Sequence, residues 1–194
     1  MAGTQKKALV GLSMFQFFPV IQDDLAGYAA AEDAISVPWV AQMDVSDDTS
    51  ENKFYGDDNV YLDMVSWNGK KLTITFHEFS LENYADFGFG SYDKTTGTLA
   101  YEPQSSNKEY AVTFRQMRAD GSYMMTKAYN FVVSQIQETG AQTRSDAKNL
   151  NDVKVIGTIG RRRIDNAVMD VRDTAAPPEA GDLAWLDEVE SVTR

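Results

Sequence analysis

The stretch from residue 44 to residue 79 most constrains what this chain can fold into, because a polar segment is followed by a long alternating one. Residues 44–59 are polar and lack a regular spacing of apolar residues, which predicts a long exposed loop. Residues 60–66 and 70–79 alternate around Trp67-Asn68-Gly69, which predicts a β-hairpin with its turn there. A long loop leading into a firm hairpin is a common way to present a contact surface on a rigid frame.

The register of this hairpin follows from residue types. A two-residue turn would place Asp63 opposite Ile74, a carboxylate against an apolar neighbour. A three-residue loop with Gly69 left-handed instead pairs Leu62 with Ile74 and gathers the large apolar residues on one face, because side chains alternate along a strand. The second register predicts one core face and one mostly polar face. The polar face would carry Tyr61, Asp63, Val65, Lys71, Thr73, Thr75 and His77.

Composition limits the classes of function. With 194 residues, 24% charged and 11% aromatic, the chain predicts a single globular domain over 1–194. The absence of cysteine excludes disulfides, a thiolate nucleophile and a cysteine-based metal site. The net charge is −11 and the only concentrated basic run is 161–163, so a DNA grip is not expected. Apolar runs are too short to span a bilayer and no signal peptide is evident, which favours a protein made in the cytoplasm with no membrane partner.

The rest of the chain predicts a mainly β domain of about seven to nine strands, either a β-sandwich or an open barrel segment. Residues 1–22 are expected to be an N-terminal arm or entering strand that Pro19 ends. A second hairpin turns at Asp120-Gly121, and a further strand covers 153–163.

Two short helices complete this prediction. Ser80 is a suitable N-cap and Gly88 a suitable stop for a helix that flanks the sheet. Residues 175–194 predict a linker followed by a helix that Asp182 caps.

No catalytic, cofactor or metal site can be assembled from the sequence, so we do not expect an enzyme. His77 is the only histidine, and Glu78 would point to the other face of the strand, so a surface histidine is favoured over an acid–base pair. Asp57 and Asp58 do not have EF-hand spacing. The alternative function is a monomeric β-sandwich that binds carbohydrate or another partner. Its aromatic platform would be Trp39, Trp67, Tyr61 and Phe54.

The order and spacing of several motifs resemble the major tail protein, the tail tube subunit, of long-tailed siphovirus-type bacteriophages. The resemblance covers most of the chain, although the longer N-terminal part and the three consecutive arginines depart from it. The motifs are Val10-Gly11-Leu12, Tyr55-Gly56-Asp57-Asp58, Phe79-Ser80-Leu81-Glu82, Phe114-Arg115-Gln116-Met117, Asp120-Gly121-Ser122-Tyr123, Val155-Ile156-Gly157-Thr158 and Ala184-Trp185-Leu186-Asp187.

The resemblance implies a β-sandwich with a flanking helix that assembles into hexameric rings. Stacked rings would form a hollow tube in the virion tail. The partners would be further copies of this chain, a tape-measure protein, a tail terminator and distal tail proteins, and DNA would pass through without specific binding. Neighbouring sheets would join at free strand edges, and the acidic charge would keep phosphates off the lumen wall.

This reading predicts two sets of residues. The loop over 44–59 would contact the next ring, and Arg161 and Arg163 would form ion pairs between subunits, whereas Arg162 would point away from them on a strand. The contact candidates are Asn52, Lys53, Phe54, Tyr55, Asp57, Asp58, Arg161 and Arg163, and the lumen candidates are Asp63, Thr73 and Thr75.

Overall fold

The computed structural model describes residues 9–56, 59–102, 108–138, 152–175 and 178–193, which contain twelve strands and two short helices. The helices are α1 (Leu81–Asp86) and α2 (Ala180–Ala184). The strands are β1 (Leu9–Asp23), β2 (Gly27–Ala30), β3 (Ile35–Ser36), β4 (Val40–Gly56), β5 (Asn59–Phe76), β6 (Gly90–Asp93), β7 (Thr98–Tyr101), β8 (Glu109–Arg118), β9 (Tyr123–Glu138), β10 (Val153–Ile159), β11 (Met169–Asp173) and β12 (Val192–Thr193). The mainly β prediction is confirmed.

Ten of these strands form one antiparallel sheet in the order β12-β2-β1-β8-β9-β10-β5-β4, with β11 beside β9 and β3 beside β1. Strands β6 and β7 pair with each other. The predicted second hairpin is present as β8 and β9, and Gly121 in its turn has a φ of 82°. Within the described ranges, no helix is both long enough and apolar enough to cross a membrane.

The large sheet curls so that its two halves face each other. Phe15 of β1 meets Phe76 of β5 edge-on, with ring centroids 6.5 Å apart, although β8, β9 and β10 lie between these strands in the sheet. The concave side holds an aromatic core that includes the buried rings of Phe17, Phe114 and Phe131. Burying a side chain of this size contributes about 1.5–3 kcal/mol, so these rings account for much of the driving force for the curl.

Helix α1 covers part of this core, as the sequence predicts. The Ser80 hydroxyl accepts a hydrogen bond from the Asn83 N–H, and the Asn83 side-chain oxygen accepts one from the Ser80 N–H, so both ends of a capping box are present. Gly88 follows the helix with a φ of 83°, a conformation that glycine adopts without strain. Phe87 at the C-cap lies edge-on against Phe17, at 4.9 Å between ring centroids.

The prediction of a loop over residues 44–59 is wrong for residues 44–56, which lie in a strand. Residues up to Gly56 belong to β4, which pairs with β5 from Val40 opposite Phe76 to Gly56 opposite Asn59. The polar composition misled the prediction because β4 is an edge strand, and much of it is exposed on both faces, so it needs no apolar alternation. Asp57 and Asp58 lie outside the described residues.

The prediction of a hairpin turn at Trp67-Asn68-Gly69 is also wrong, because these residues lie inside strand β5. Leu62 therefore pairs with Phe54, not with Ile74. The extra residue at Asn68 forms a bulge, where Asp48 faces Gly69 but Thr49 faces Trp67.

The predicted N-terminal arm is a sheet strand over its described part. Strand β1 pairs with β8 on one side and with β2 and β3 on the other. Pro19 does not end it, because the Pro19 carbonyl accepts a hydrogen bond from Ala31 and the chain continues into pairing with β2.

The C-terminal segment packs back onto the sheet. Leu186 is fully buried, and β12 pairs with β2 through Val192 opposite Tyr28. The predicted helix is present, but Asp182 lies inside α2 rather than at its N-cap. Its carboxylate accepts a hydrogen bond from the Glu179 N–H at 3.1 Å.

Candidate assembly surface

A two-stranded arm projects beyond the curled sheet. We define the arm as residues 48–56 of β4 and 59–69 of β5, which pair only with each other among the described residues, because β10 joins β5 only from Lys70 onwards. Nine residues of β4 at ~3.3 Å each make the arm about 30 Å long. A projection of this length is available for contact with another molecule.

The root of the arm is held by a cluster of polar and aromatic side chains. Asp47 Oδ1 accepts hydrogen bonds from Lys70 Nζ at 2.8 Å and from Trp67 Nε1 at 3.2 Å. The guanidinium of Arg161, which follows β10, stacks over the Trp67 ring at 4.6 Å from its centroid. The hydrogen bonds from Lys70 and Trp67 hold the pKa of Asp47 below its usual range. We call these four residues the root cluster.

Gly69 sits where the arm leaves the sheet, and only glycine fits there. A β-carbon at this position would lie 2.6 Å from the Ile159 carbonyl oxygen and 3.0 Å from Thr158 Cγ2, and the φ of Gly69 is 142°. The missing side chain allows β10 to approach the bulge closely.

The bulge changes which residues share a face. Strict alternation would place Trp67 with Lys71 and Thr73, but Trp67 instead shares Asp47 with Lys70. The prediction of a single polar face along β5 is therefore wrong at this point. Its core face is confirmed only for the part of β5 within the sheet, where Leu72, Ile74 and Phe76 are fully buried.

Exposed apolar side chains occur on the arm. Val65 is 66% exposed, and Met64 beside it is about half exposed, although the sequence assigns Met64 to the core face. Lys53 on the facing strand forms an ion pair with Glu51 at 2.8 Å. Large apolar side chains that are this exposed on a projecting hairpin are typical of interaction sites.

The backbone of four contact candidates lies on β4 within the arm. These are Asn52, Lys53, Phe54 and Tyr55. Lys53 faces Asp63 in the register, so this contact candidate and this lumen candidate are neighbours in one ladder. The backbone partners of the other three, Asn52, Phe54 and Tyr55, are Met64, Leu62 and Val60 respectively.

The three arginines do three different things. Arg161 belongs to the root cluster. The backbone N–H of Arg163 donates to the buried Asp23 carboxylate at 2.8 Å, and its exposed side chain places Nε 3.7 Å from Asp23 Oδ2. Arg162 is 6% exposed and forms two hydrogen bonds to Asp165, at 3.1 and 2.6 Å. The prediction placed the three arginines on a strand, with Arg162 pointing away from the other two, but all three lie beyond the end of β10. Arg162 is buried and its two neighbours are exposed for a different reason, namely the contacts of Arg162 within the loop.

Arg162 is enclosed by aromatic rings as well as by its carboxylate. Its guanidinium lies 3.9 Å from the centroid of Tyr129 and 5.4 Å from that of Tyr28. Burial acts to raise the pKa of Asp165, but hydrogen bonds from the Ala167 N–H and the Arg162 guanidinium outweigh it, and the pKa is held below its usual range. The sequence gives no signal for this site beyond the arginine run itself.

The lumen candidates Thr73 and Thr75 lie on the side of β5 opposite the core, but Thr75 is buried and Thr73 is half-buried. Their partners in the neighbouring strands are Asp44 and Gln42 on β4 and Ile156 and Lys154 on β10. With the exposed Lys71 beside them, the charged groups of this face are two lysines and one aspartate. The face is polar, but it is not acidic.

No group of three or more histidine, cysteine or carboxylate side chains that could hold a metal ion occurs among the described residues. His77, the histidine interpreted as a surface residue, is part-exposed, and its Nδ1 lies 2.7 Å from Asp152 Oδ1.

Comparisons with known proteins add likenesses of fold only. No protein-family model and no curated protein matches the chain significantly. One similar solved structure is from the anti-feeding prophage baseplate, with 8% identity, a TM-score of 0.39, and coverage of 88% of this chain and 98% of that one. Another is from the tube-terminating cap of the same particle, with 10% identity, a TM-score of 0.39, and coverage of 89% of this chain and 99% of that one. Likenesses this weak are no basis for assigning a function.

Proposed function

We propose that this protein is a structural subunit of a phage-type tail tube, which assembles as hexameric rings that stack through the arm. The observation that carries the proposal is the arm itself, a hairpin about 30 Å long with exposed Val65 and Met64, attached to a tightly packed curled sheet. The motif order resembling the tail tube family supports the same conclusion. In this reading the protein belongs to the virion and is not an enzyme.

The free edge of β4 supports the formation of rings. Among the described residues, β4 pairs on one side only, with β5, so its outer backbone groups remain available to a neighbouring copy. Edge pairing within rings and arm contacts between rings would together give a tube. The tape-measure, terminator and distal tail proteins are the proposed partners at its bore and ends.

The proposed role of the bore is to let DNA pass without binding it. The net charge of −11 supports this role, because an acidic wall repels phosphate. The face of Thr73 and Thr75 carries Asp44 beside two lysines and has no acidic surplus, so if it lines the bore, the surplus must come from other surfaces. The C-terminal segment has such a surplus in Asp187, Glu188 and Glu190, all of which are exposed.

The alternative, a monomeric carbohydrate-binding module, has less support. A sugar platform needs accessible aromatic faces. Trp39 is exposed, but the Trp67 ring is covered by Arg161.

The test is a concentration series of the purified protein, alone and with its neighbouring tail proteins, followed by sedimentation velocity and negative-stain electron microscopy. We expect rings and tubes. The matched control shortens the arm by replacing residues 52–64 with Asn-Gly, since Glu51 and Val65 face each other and a two-residue turn can join them. This variant should fold and fail to stack. A strict monomer in every mixture, or normal tubes from the short-arm variant, would refute the proposal.

A further inference from the structure

Beyond its root, the arm has no support from the rest of the sheet within the described residues. An isolated two-stranded hairpin is only marginally stable in water, and it bends easily relative to the body it projects from. For an arm about 30 Å long, a rotation of about 10° at the root moves the tip by roughly 5 Å. Contacts at the root therefore decide where the tip lies.

The root cluster connects three separate segments. Asp47 lies on β4, Trp67 and Lys70 lie on either side of the bulge in β5, and Arg161 follows β10. Since β10 is part of the rigid sheet, the contact of Arg161 with Trp67 links the arm to the body of the protein. The hydrogen bonds of Asp47 join the two strands of the arm to each other at the same place.

We infer that the root cluster is a joint that fixes the direction of the arm, and that Arg161 acts in assembly by positioning Trp67 rather than by pairing with a neighbouring subunit. This inference rests on the proposed function of the arm, and it gives Arg161 a role different from the expected ion pair between subunits. Arg163, exposed and two residues further on, makes no contact with the root cluster among those observed.

The residue types suit this role. An indole offers a ring face to a cation and an N–H donor at its edge, and Trp67 uses both. A planar guanidinium stacks on such a face, whereas an ammonium group does so less well. Arg161→Lys should therefore support the joint only in part. Trp67→Phe should keep the stacking and lose the hydrogen bond to Asp47.

The chain contains no cysteine, so two introduced cysteines can be spin-labelled without labelling any other residue. We would introduce Met64→Cys on the arm and Lys154→Cys on β10, both at exposed positions, and measure their distance distribution by double electron–electron resonance. Labelled protein would be diluted into excess unlabelled protein at a concentration where it is monomeric. Arg161→Ala and Trp67→Phe would be compared with the control Arg163→Ala.

We expect a narrow distribution for the parent and for Arg163→Ala, and a broadened or shifted one for Arg161→Ala, with Arg161→Lys and Trp67→Phe in between. If the distribution of spin-label distances is unchanged in Arg161→Ala, the inference that the root cluster is a joint is wrong. In the protein without the two introduced cysteines, Arg161→Ala should also give fewer or irregular tubes. Its unfolding midpoint should stay close to that of Arg163→Ala.

The two proposals fail in different ways. A broadened distribution with tube growth at the parent rate would show that the direction of the arm does not matter, and would overturn the inference. Normal tubes from the short-arm variant would instead refute the role of the arm. The distance measurement does not depend on tubes, so it tests the joint even then.

Discussion

The ammonium nitrogen of Lys127 lies 4.3 Å from the centroid of the Trp185 ring. Lys127 is on β9 and only 2% exposed, so the C-terminal segment covers a charged residue on the sheet. Burial lowers the pKa of Lys127, and the nearby carboxylates of Glu190, Asp170 and Glu188 oppose this effect without cancelling it. Burying the Lys127 ammonium group beneath the C-terminal segment therefore costs desolvation free energy, which the contact with the Trp185 ring offsets only in part.

Replacing Lys127 with methionine should stabilise the protein. A long apolar side chain keeps the packing against Trp185 and removes the cost of burying a charge, for a net gain of about 1 kcal/mol in unfolding free energy. Urea titration followed by circular dichroism at pH 7 measures this gain. The matched control is Lys94→Met, whose side chain is exposed, and it should leave the midpoint unchanged.

The pH dependence of this effect has a defined sign. Because the folded pKa of Lys127 lies below the usual 10.5, the unfolded chain binds more protons between these two values, and the stability of the parent rises with pH there. Lys127→Met should lack this rise, so its advantage should shrink as the pH approaches 10.5. An advantage that grows with pH would contradict the assignment.

Placing a charge on the arm should stop assembly without unfolding the protomer. Val65→Asp changes a side chain that is 66% exposed and faces Glu51, so the unfolding free energy should fall by no more than about 1 kcal/mol. Tube formation by electron microscopy should be lost, because a carboxylate would be buried between subunits. Val171→Asp, at a residue 54% exposed on β11, is the matched control and should assemble normally.

Gly157 should not tolerate a side chain. A β-carbon there would overlap the Val132 carbonyl oxygen and lie 2.5 Å from Phe131 Cε2, in a part of β10 enclosed by β9 and β5. We expect Gly157→Ala to cost about 3 kcal/mol in thermal or urea unfolding. Gly160→Ala is the control, since its β-carbon would meet Asn130 only at 3.6 Å, an ordinary contact. Equal effects of the two substitutions would argue against this packing.

Asp165→Asn should destabilise the protein by leaving the buried Arg162 guanidinium without its counter-charge. Water reaches Asp165, so we expect about 2 kcal/mol rather than the larger cost of breaking a fully buried pair. The pKa of Asp165 is lowered in the fold, so its contribution is complete above the usual 3.8 and is lost as the pH falls towards the folded pKa. The parent should lose its advantage over Asp165→Asn under these acidic conditions in urea titrations.

Local signals in the sequence predicted local structure well. Ser80 and Gly88 bound α1 where expected, and Asp120-Gly121 makes the turn between β8 and β9, because capping and turn formation depend on a few adjacent residues. The mainly β class followed from the alternating segments.

The arm could not be predicted in the same way. Its residues are exposed on more than one face, so no period of two separates a core side from a solvent side. The Asn68-Gly69 pair is the strongest short hairpin signal, but here the glycine serves the close approach of Ile159, a residue distant in sequence. The stacking of Arg161 on Trp67 is also set by tertiary structure and leaves no mark in local spacing.

The bulge at Asn68 accommodates one residue that β5 has in excess of β4. Removing Asn68 would leave Thr49 opposite Trp67 and Asp48 opposite Gly69, so the side chains of the arm would keep their faces, but the strand would lose the bend and added twist that a bulge gives it. A lineage of such proteins could therefore re-aim its outermost contact surface through one codon, while the residues on that surface stay the same.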